Sequence, residues 1–272
     1  NDAETAEVAQ ALEEQYLPRF ASDAIPQTRT GLALALADRL DTLTGIFGIG
    51  QRPSGTKDPF ALRRAAIGVI NILVKGELHL DLRELLDLAA AQHQELPYAE
   101  GLVDEVLTYM LDRFRAWARD EGIDTEVYLA VRARPVTQPL DFARRLRAVQ
   151  GFSRREEAAA LAAANKRVSN ILGKQQHDGS TEVDARLLQE VAEKTLYEAL
   201  TSRRRDVMPL FAEARYSEAL DSLAGLREPV DAFFDQVMVM AEQPAVRRNR
   251  LALLAGLQAL FLEVADIALL QQ

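Results

Sequence analysis

Apolar residues recur three and four positions apart through almost all of this 272-residue chain. Leu32, Leu36, Leu40 and Leu43 form one such stripe, which would cover a single face of an α-helix. No stretch alternates apolar and polar residues with the two-residue period of a half-buried β-strand. Alanine, leucine, arginine and glutamate dominate the chain, and all four favour helix. The pattern therefore predicts an all-α fold.

The composition narrows the classes of protein that are possible. Hydrophobic residues make up 48% of the chain, which is normal for a globular protein with a full core. The longest apolar stretches, such as residues 31–37, are too short to span a membrane. Cysteine is absent, which excludes disulfides, thiolate zinc sites and cysteine nucleophiles and fits a reducing, cytoplasmic location. Because helical periodicity is present from the first residues, without an initial methionine, we expect a piece of a longer protein.

Charge is distributed unevenly along the chain. The net charge of −9, from 32 basic and 41 acidic residues, argues against DNA binding and other nonspecific nucleic-acid binding. Residues 141–174 nevertheless hold eight basic and only three acidic residues. Two further basic clusters lie at residues 203–205 and 247–250. An acidic protein with a basic segment is typical of RNA binding at one place.

Ten basic residues and one asparagine are therefore candidates for RNA binding. They are Arg144, Arg145, Arg147, Arg154, Lys166, Arg167, Asn170, Lys174, Arg247, Arg248 and Arg250. The alternative for each arginine of the basic segment is a solvated helix face on which it pairs with a nearby carboxylate such as Glu156 or Glu157.

Several short motifs predict where helices begin. Asp58-Pro59 combines a capping carboxylate with a proline suited to the first helical position, and Glu228-Pro229 and Gln243-Pro244 are similar. The sequence from Ser153 to Glu156 matches a capping box.

Breaks in the helical pattern predict two loops and one domain boundary. The loops lie at residues 45–57 and 173–181, where glycine and polar residues cluster. Pro135, Pro139 and Gly151 interrupt the pattern between Arg134 and Phe152. The sequence thus predicts two helical domains, residues 1–140 and 141–272.

The sequence of residues 50–57 is similar to a P-loop, but threonine precedes lysine and the flanking segments are helical. A connection between helices is therefore the better interpretation. His177-Asp178 suggests a metal phosphohydrolase, but it lies in a polar loop, and only His79 and His93 could complete a site. Asp38 and Asp41 share a helix face, which is more often a salt-bridged surface than an acid–base pair. We therefore expect no catalytic residue and no metal ligand in this chain.

Three long sequence blocks resemble one family. The block GIFGIGQRPSGTKDPFALRRAAIG, residues 45–68, resembles the most distinctive part of glycyl-tRNA synthetase β-subunits. The blocks NKRVSNILGK at residues 165–174 and EPVDAFFDQVMVMAEQPAVRRNRLALLAGLQALFLEVADIALL at residues 228–270 extend the match. The resemblance runs from about Glu7 to the end of the chain.

The resemblance implies a bacterial α2β2 glycine–tRNA ligase, in which the α-subunit activates glycine with ATP and Mg²⁺ and the β-subunit provides most of the grip on tRNA. The chain would hold the end of an HD-like helical domain and a complete DALR-type anticodon-binding helical bundle. Its partners would be glycine tRNA and the α-subunit, and it would bind no cofactor itself.

Two alternatives to this function follow from the same residues. One is a remnant of an HD-type metal phosphohydrolase, because the helix with Asp38 and Asp41 resembles the one that carries the last aspartate of HD proteins. Gln15, however, stands where a histidine is common in the family. The other is a helical scaffold without a role in RNA binding. Phe233 and Phe234 could stack on an unpaired base, although a place in the core is the more usual role of such a pair.

Overall fold

The computed structural model describes residues 4–20, 22–175 and 178–270. Those ranges contain twelve α-helices, two short 3-10 helices and no β-strand, which confirms the predicted all-α class. No helix in the described ranges is both long and apolar enough to cross a membrane. The chain divides into two compact units, Asn1–Gly122 with Val136–Ala143, and Ile123–Pro135 with Arg144–Gln272.

The first unit is built around the second helix. Its helices are α1 Ala6–Glu14, α2 Arg29–Gly48, α3 Leu62–Lys75, α4 Leu82–Ala90 and α5 Leu102–Asp120. Helix α2 packs against each of the other four. The predicted leucine stripe supplies its inner face: Leu36, Leu40 and Leu43 are buried, and Leu32 packs partly buried against the same core. Removing this apolar area from water is the main term that stabilises the unit.

The second unit consists mainly of the C-terminal helices. They are α8 Glu156–Lys174, α9 Val191–Ala212, α10 Tyr216–Ala224, α11 Arg227–Gln236 and α12 Pro244–Leu262, with 3-10 helices at Ala185–Leu187 and Ile267–Leu270. Helices α8 and α9 each pack against α10, α11 and α12. Phe233 and Phe261 are among the largest fully buried side chains here.

Helix α6, Thr125–Arg132, belongs to the second unit although it precedes most of that unit in the chain. Val127, Ala130 and Val131 are at most 1% exposed. The Ala130 carbonyl accepts a hydrogen bond of 2.9 Å from the backbone N–H of Asp266. The division at residue 140 placed this helix with the first domain. Its contacts to a segment more than 130 residues away cannot be seen in local periodicity.

Helix α7 runs without interruption from Pro139 to Ser153. Its first residues belong to the first unit and its later ones to the second. The predicted capping box at Ser153 is therefore wrong, because Ser153 ends α7 and its hydroxyl donates to the Gln150 carbonyl at 2.9 Å. Gly151 is exposed inside the helix and does not interrupt it.

The other predicted helix starts had mixed outcomes. The start at Gln243-Pro244 is confirmed, and α11 begins at Arg227, one residue before the predicted motif. At Asp58-Pro59 the carboxylate does cap a helix, accepting from the N–H groups of Leu62 and Arg63 at 2.8 and 3.0 Å. The helix begins only at Leu62, because the intervening turn places Ala61 in the left-handed region at φ 54°.

The glycine-rich loop connects two helices, as the sequence predicted. Helix α2 extends to Gly48 and α3 begins only at Leu62, so the connection covers residues 49–61 and lies four residues later than the predicted 45–57. Gly50, at φ 78°, adopts a left-handed conformation beside the Tyr98 ring. Because a helix rather than a strand precedes this loop, the P-loop interpretation fails.

Candidate RNA-binding surface

The basic segment is carried mainly by helix α8, whose two faces differ in burial. Leu161, Asn165 and Val168 lie on the buried face. Lys166, Arg167, Asn170 and Lys174 are all exposed, and we call these four residues the α8 basic face. The helix has two glutamates in its first turn and a lysine in its last, an arrangement that suits the helix dipole.

The cations of the α8 basic face have no carboxylate partner within the described part of the chain. The guanidinium of Arg167 instead lies over the ring of Phe234 in α11, 4.3 Å from the ring centre. Phe234 is half-buried, and its ring meets the buried ring of Phe233 edge to face at 5.6 Å. This stack orients Arg167 while leaving its side chain accessible.

The two ends of α8 differ in how their charges are compensated. Near the start of the helix, Arg155 pairs with Asp221 at 2.5 Å, and Glu156 pairs with Arg227 at 3.2 Å. These side chains follow the alternative interpretation, a solvated face with ion pairs. The positive charge that remains uncompensated is concentrated in the C-terminal half of α8.

Arg145, one of the predicted RNA-binding residues, forms several contacts within the fold. Its guanidinium donates to the backbone carbonyls of Glu263 and Val264 and to the Tyr216 hydroxyl, the last at 2.8 Å. It also lies over the Tyr216 ring, 4.4 Å from the centre. The side chain thus ties α7 to the C-terminal segment, and these donors are not available to phosphate.

Arg250, another predicted RNA-binding residue, is buried. Its side chain is 6% exposed and pairs at 2.6 Å with Glu193, whose side chain is fully buried. It also donates to the Met238 carbonyl at 2.7 Å. Burial alone would raise the pKa of Glu193, but hydrogen bonds from Arg250 and from the Glu190 and Gln189 backbone outweigh it and lower the pKa. The pair therefore stays ionised inside the fold.

The remaining candidates lie away from the α8 basic face in sequence. Arg144 is half-buried in α7, and Arg147 and Arg154 are exposed. In α12, Arg247 is half-buried and Arg248 is exposed, and Arg248 lines a cavity of about 440 Å³ with Asn249 and Asp184. Asn249 was not predicted from the sequence. Its side-chain amide accepts a hydrogen bond from the Asp184 N–H and donates one to the Asp184 carbonyl.

Those residues that suggested a hydrolase and are described by the structure are not gathered into a metal site. In the described ranges, no group of three histidine, aspartate or glutamate side chains is placed to hold a metal ion. Asp41 lies 3.4 Å from His93, which also contacts the Thr44 hydroxyl at 3.2 Å. His177 lies outside the described residues, and Asp178 is exposed.

Comparison with known proteins assigns a family to both parts of the chain. Residues 1–133 match the glycyl-tRNA synthetase beta subunit family, and residues 161–267 match the DALR anticodon binding domain. The second match contains the α8 basic face and Phe234.

Individual relatives agree over the whole chain. Proteins named glycine–tRNA ligase beta subunit are 79% identical in Chromohalobacter salexigens, 56% in Marinobacter nauticus and 54% in Pasteurella multocida, over 99–100% of this chain. The chain spans 39% of the length of each of these relatives. It belongs to the family of glycyl-tRNA synthetase β-subunits and carries a DALR anticodon-binding domain over residues 161–267.

Proposed function

We propose that this chain is the tRNA-binding, anticodon-recognising part of the β-subunit of a glycine–tRNA ligase. It would position glycine tRNA for ATP-dependent glycylation at an active site supplied by the α-subunit of an α2β2 enzyme in the cytoplasm. ATP and Mg²⁺ would bind that α-subunit and not this chain. The α8 basic face is the observation that carries the proposal.

The fold leaves the positive charge of the α8 basic face uncompensated. Lys166, Arg167 and Lys174 project from one half of a helix in a chain of net charge −9. At the other end of α8, by contrast, Arg155 is paired with Asp221 and Glu156 with Arg227. Like charges placed together repel, and the phosphates of an RNA backbone relieve that repulsion while releasing counterions. The location of this face inside the DALR match supports a tRNA ligand.

Contacts to the RNA backbone and contacts to the bases would have different roles. Phosphate contacts position an RNA without reading its sequence, and specificity in RNA comes mainly from unpaired bases. Both cytosines at the end of a glycine anticodon offer an exocyclic amine, which an acceptor such as a carboxylate or carbonyl can read. The α8 basic face is therefore proposed to set affinity, whereas the residues that read the anticodon lie elsewhere.

The test compares two double variants that change the net charge equally. Lys166→Ala/Lys174→Ala removes two cations from the α8 basic face, and Lys75→Ala/Lys194→Ala removes two exposed lysines from other helices. We expect the first to weaken binding of glycine tRNA. The slope of log binding constant against log salt concentration should decrease in magnitude by somewhat under two, since each lost phosphate contact accounts for about 0.7–0.9 of that slope. The control should keep the affinity and slope of the unchanged chain.

The same titration with a tRNA altered only in its anticodon separates affinity from specificity. The first double variant should weaken both tRNAs by a similar factor, because it removes phosphate contacts. If the two double variants bind with equal affinity and equal salt slope, the α8 basic face is not the contact surface.

A further inference from the structure

The first unit contains a cavity of about 450 Å³ between the segment after α1 and the helices α2 and α3. Its walls include Tyr16, Asp38, Arg39, Phe60 and Arg64. This volume lies within the range of sites that hold small molecules. None of these residues belongs to the α8 basic face or is used by the proposed function.

Arg39 brings a buried positive charge to this cavity. The residue is 8% exposed. Its guanidinium donates to the Gln15 and Ala35 carbonyls at 2.9 and 2.8 Å and to the Tyr16 and Pro18 carbonyls at 3.2 and 3.3 Å. Carbonyl dipoles satisfy these donors but do not neutralise the charge, and no carboxylate of the described residues forms an ion pair with Arg39.

Arg64 adds a second cation, exposed on α3 and without an ion-pair partner in the described ranges. Burial lowers the pKa of the Arg39 guanidinium, with Asp38 opposing this and Arg64 adding to it. Both arginines line the same cavity. The third lining arginine, Arg19, forms an ion pair with Asp23 at 2.8 Å. Asp38 is the one carboxylate in the lining, so Arg39 and Arg64 leave the cavity wall with an excess of one positive charge, which an anion would relieve.

Two exposed aromatic rings line the same cavity. Tyr16 is 69% exposed and Phe60 is 44% exposed, although both are large enough to be buried favourably in a core. Ala61, next to Phe60, has the strained φ of 54°, which costs about 1–2 kcal/mol for a residue with a Cβ. Exposed rings beside a net positive charge suit a ligand that combines a planar base with a phosphate.

We infer that this cavity binds a nucleotide, with Arg64 holding its phosphate and Phe60 and Tyr16 stacking on its base. Asp38, the one carboxylate among the lining residues, is placed to accept from a ribose hydroxyl or an exocyclic amine. The nucleotide is either free or part of a single-stranded RNA, since both present the same phosphate, ribose and base.

The experiment titrates the whole chain with AMP, CMP and inorganic phosphate by isothermal calorimetry, and with the dinucleotide ApC. We expect both mononucleotides to bind more tightly than phosphate. Arg64→Ala should weaken AMP about tenfold or more, because it removes a charge-assisted hydrogen bond. Phe60→Leu, which keeps an apolar side chain but removes the ring, should weaken AMP about fivefold or more while changing phosphate binding little.

Control variants separate this site from the rest of the molecule. Arg29→Ala removes an exposed arginine of α2 that does not line the cavity, and it should leave AMP binding unchanged. Lys166→Ala/Lys174→Ala should also leave AMP binding unchanged. The two sites are thus tested separately, and a failure to detect nucleotide binding would not contradict the proposed role of the α8 basic face in tRNA binding. Tighter binding of ApC than of AMP identifies RNA as the source of the nucleotide.

Three results would overturn the inference. One is that neither AMP nor ApC binds at millimolar concentration. Another is that Arg64→Ala and Phe60→Leu, shown to be folded by circular dichroism, bind AMP as the unchanged chain does. The third is that Phe60→Leu and Tyr16→Ala weaken phosphate and AMP equally, which would leave an anion site without base recognition.

Discussion

Three arginines of the second unit show how differently one side-chain type is used. Arg145 donates to backbone carbonyls and stacks on Tyr216, so it joins two parts of the chain. Arg250 forms a buried ion pair. Arg167 is exposed and rests on Phe234 with its charge uncompensated. Only the third arrangement leaves a guanidinium ready for an external anion.

Removing Arg250 should destabilise the second unit strongly. Arg250→Ala leaves the fully buried Glu193 carboxylate without its cation, and such a loss costs about 3–5 kcal/mol. Arg248→Ala, at an exposed neighbouring position, should change stability by no more than about 0.5 kcal/mol. Urea unfolding followed by circular dichroism measures both changes.

A second variant distinguishes loss of the ion pair from loss of packing. Glu193→Gln/Arg250→Met removes both charges and keeps similar volumes, so it should recover much of the stability that Arg250→Ala loses. If Arg250→Ala unfolds at the same urea concentration as Arg248→Ala, then the pair contributes nothing to the fold.

The basic segment could be located from the sequence, but which of the basic residues are exposed and which form contacts within the fold could not. Clustering of Lys166, Arg167 and Lys174 is a local property, so it is visible in the chain. The burial of Arg250 depends on Glu193, 57 residues away, and the role of Arg145 depends on a carbonyl 118 residues away. Partners at such distances in sequence come from tertiary packing, which charge counting along the chain does not detect.

At the scale of helices, local signals predicted which segments are helical better than where each begins. The leucine stripe of α2 and the start of α12 are confirmed because apolar spacing and proline act locally. The predicted capping box at Ser153 failed because α7 continues past Gly151 to bury Phe152, which is 2% exposed. The tertiary gain from that burial exceeds the preference for a cap.

The junction between α1 and α2 should be sensitive to acid. Glu14 accepts from the Thr28 hydroxyl at 2.6 Å and from the Thr28 N–H at 3.1 Å, while Thr28 caps α2. The Thr28 hydroxyl, with further hydrogen bonds and against the effect of burial, lowers the pKa of Glu14 from 4.5 to about 2. A carboxyl whose pKa is lowered by folding stabilises the fold above its unfolded pKa, and the contribution is lost as pH falls from about 4.5 towards 2.

Glu14→Gln removes this titration while keeping the size of the side chain. We expect its melting temperature to fall less than that of the unchanged chain between pH 5 and about 2.5, as measured by thermal scans followed by circular dichroism. Glu13→Gln is the matched control, because Glu13 is exposed in the same helix. Equal acid sensitivity of the two variants would rule out the proposed role of Glu14.

For the molecule as a whole, the second unit should depend on α6 as well as on the C-terminal helices. Val127 and Val131 are buried in it, and burying an aliphatic side chain of this size contributes about 1.5–3 kcal/mol. A fragment of residues 123–272 should therefore unfold cooperatively and at a higher temperature than a fragment of residues 136–272. The two differ only in α6 and its connections, and differential scanning calorimetry compares them.

The two fragments are identical from residue 136 to residue 272. Both fragments carry residues 136–143, which belong to the first unit and would be exposed in each. A difference between them therefore comes from α6. Equal melting temperatures would show that α6 is dispensable, and the simpler division of the chain at residue 140 would then suffice.

The chain changes unit three times, after residues 122, 135 and 143, and the third change falls inside helix α7. This has a consequence for how such a gene can be reshuffled. A single crossover after residue 122 would keep α6 with the second unit but would separate residues 136–143 from the first unit, to which they belong, and a crossover after residue 135 would leave α6 behind. Homologous recombination between close relatives preserves all three junctions, whereas exchange with an unrelated gene does not. The second unit, which contains the DALR match, is therefore expected to be inherited together with the helices that precede it, and not as an independently exchanged domain.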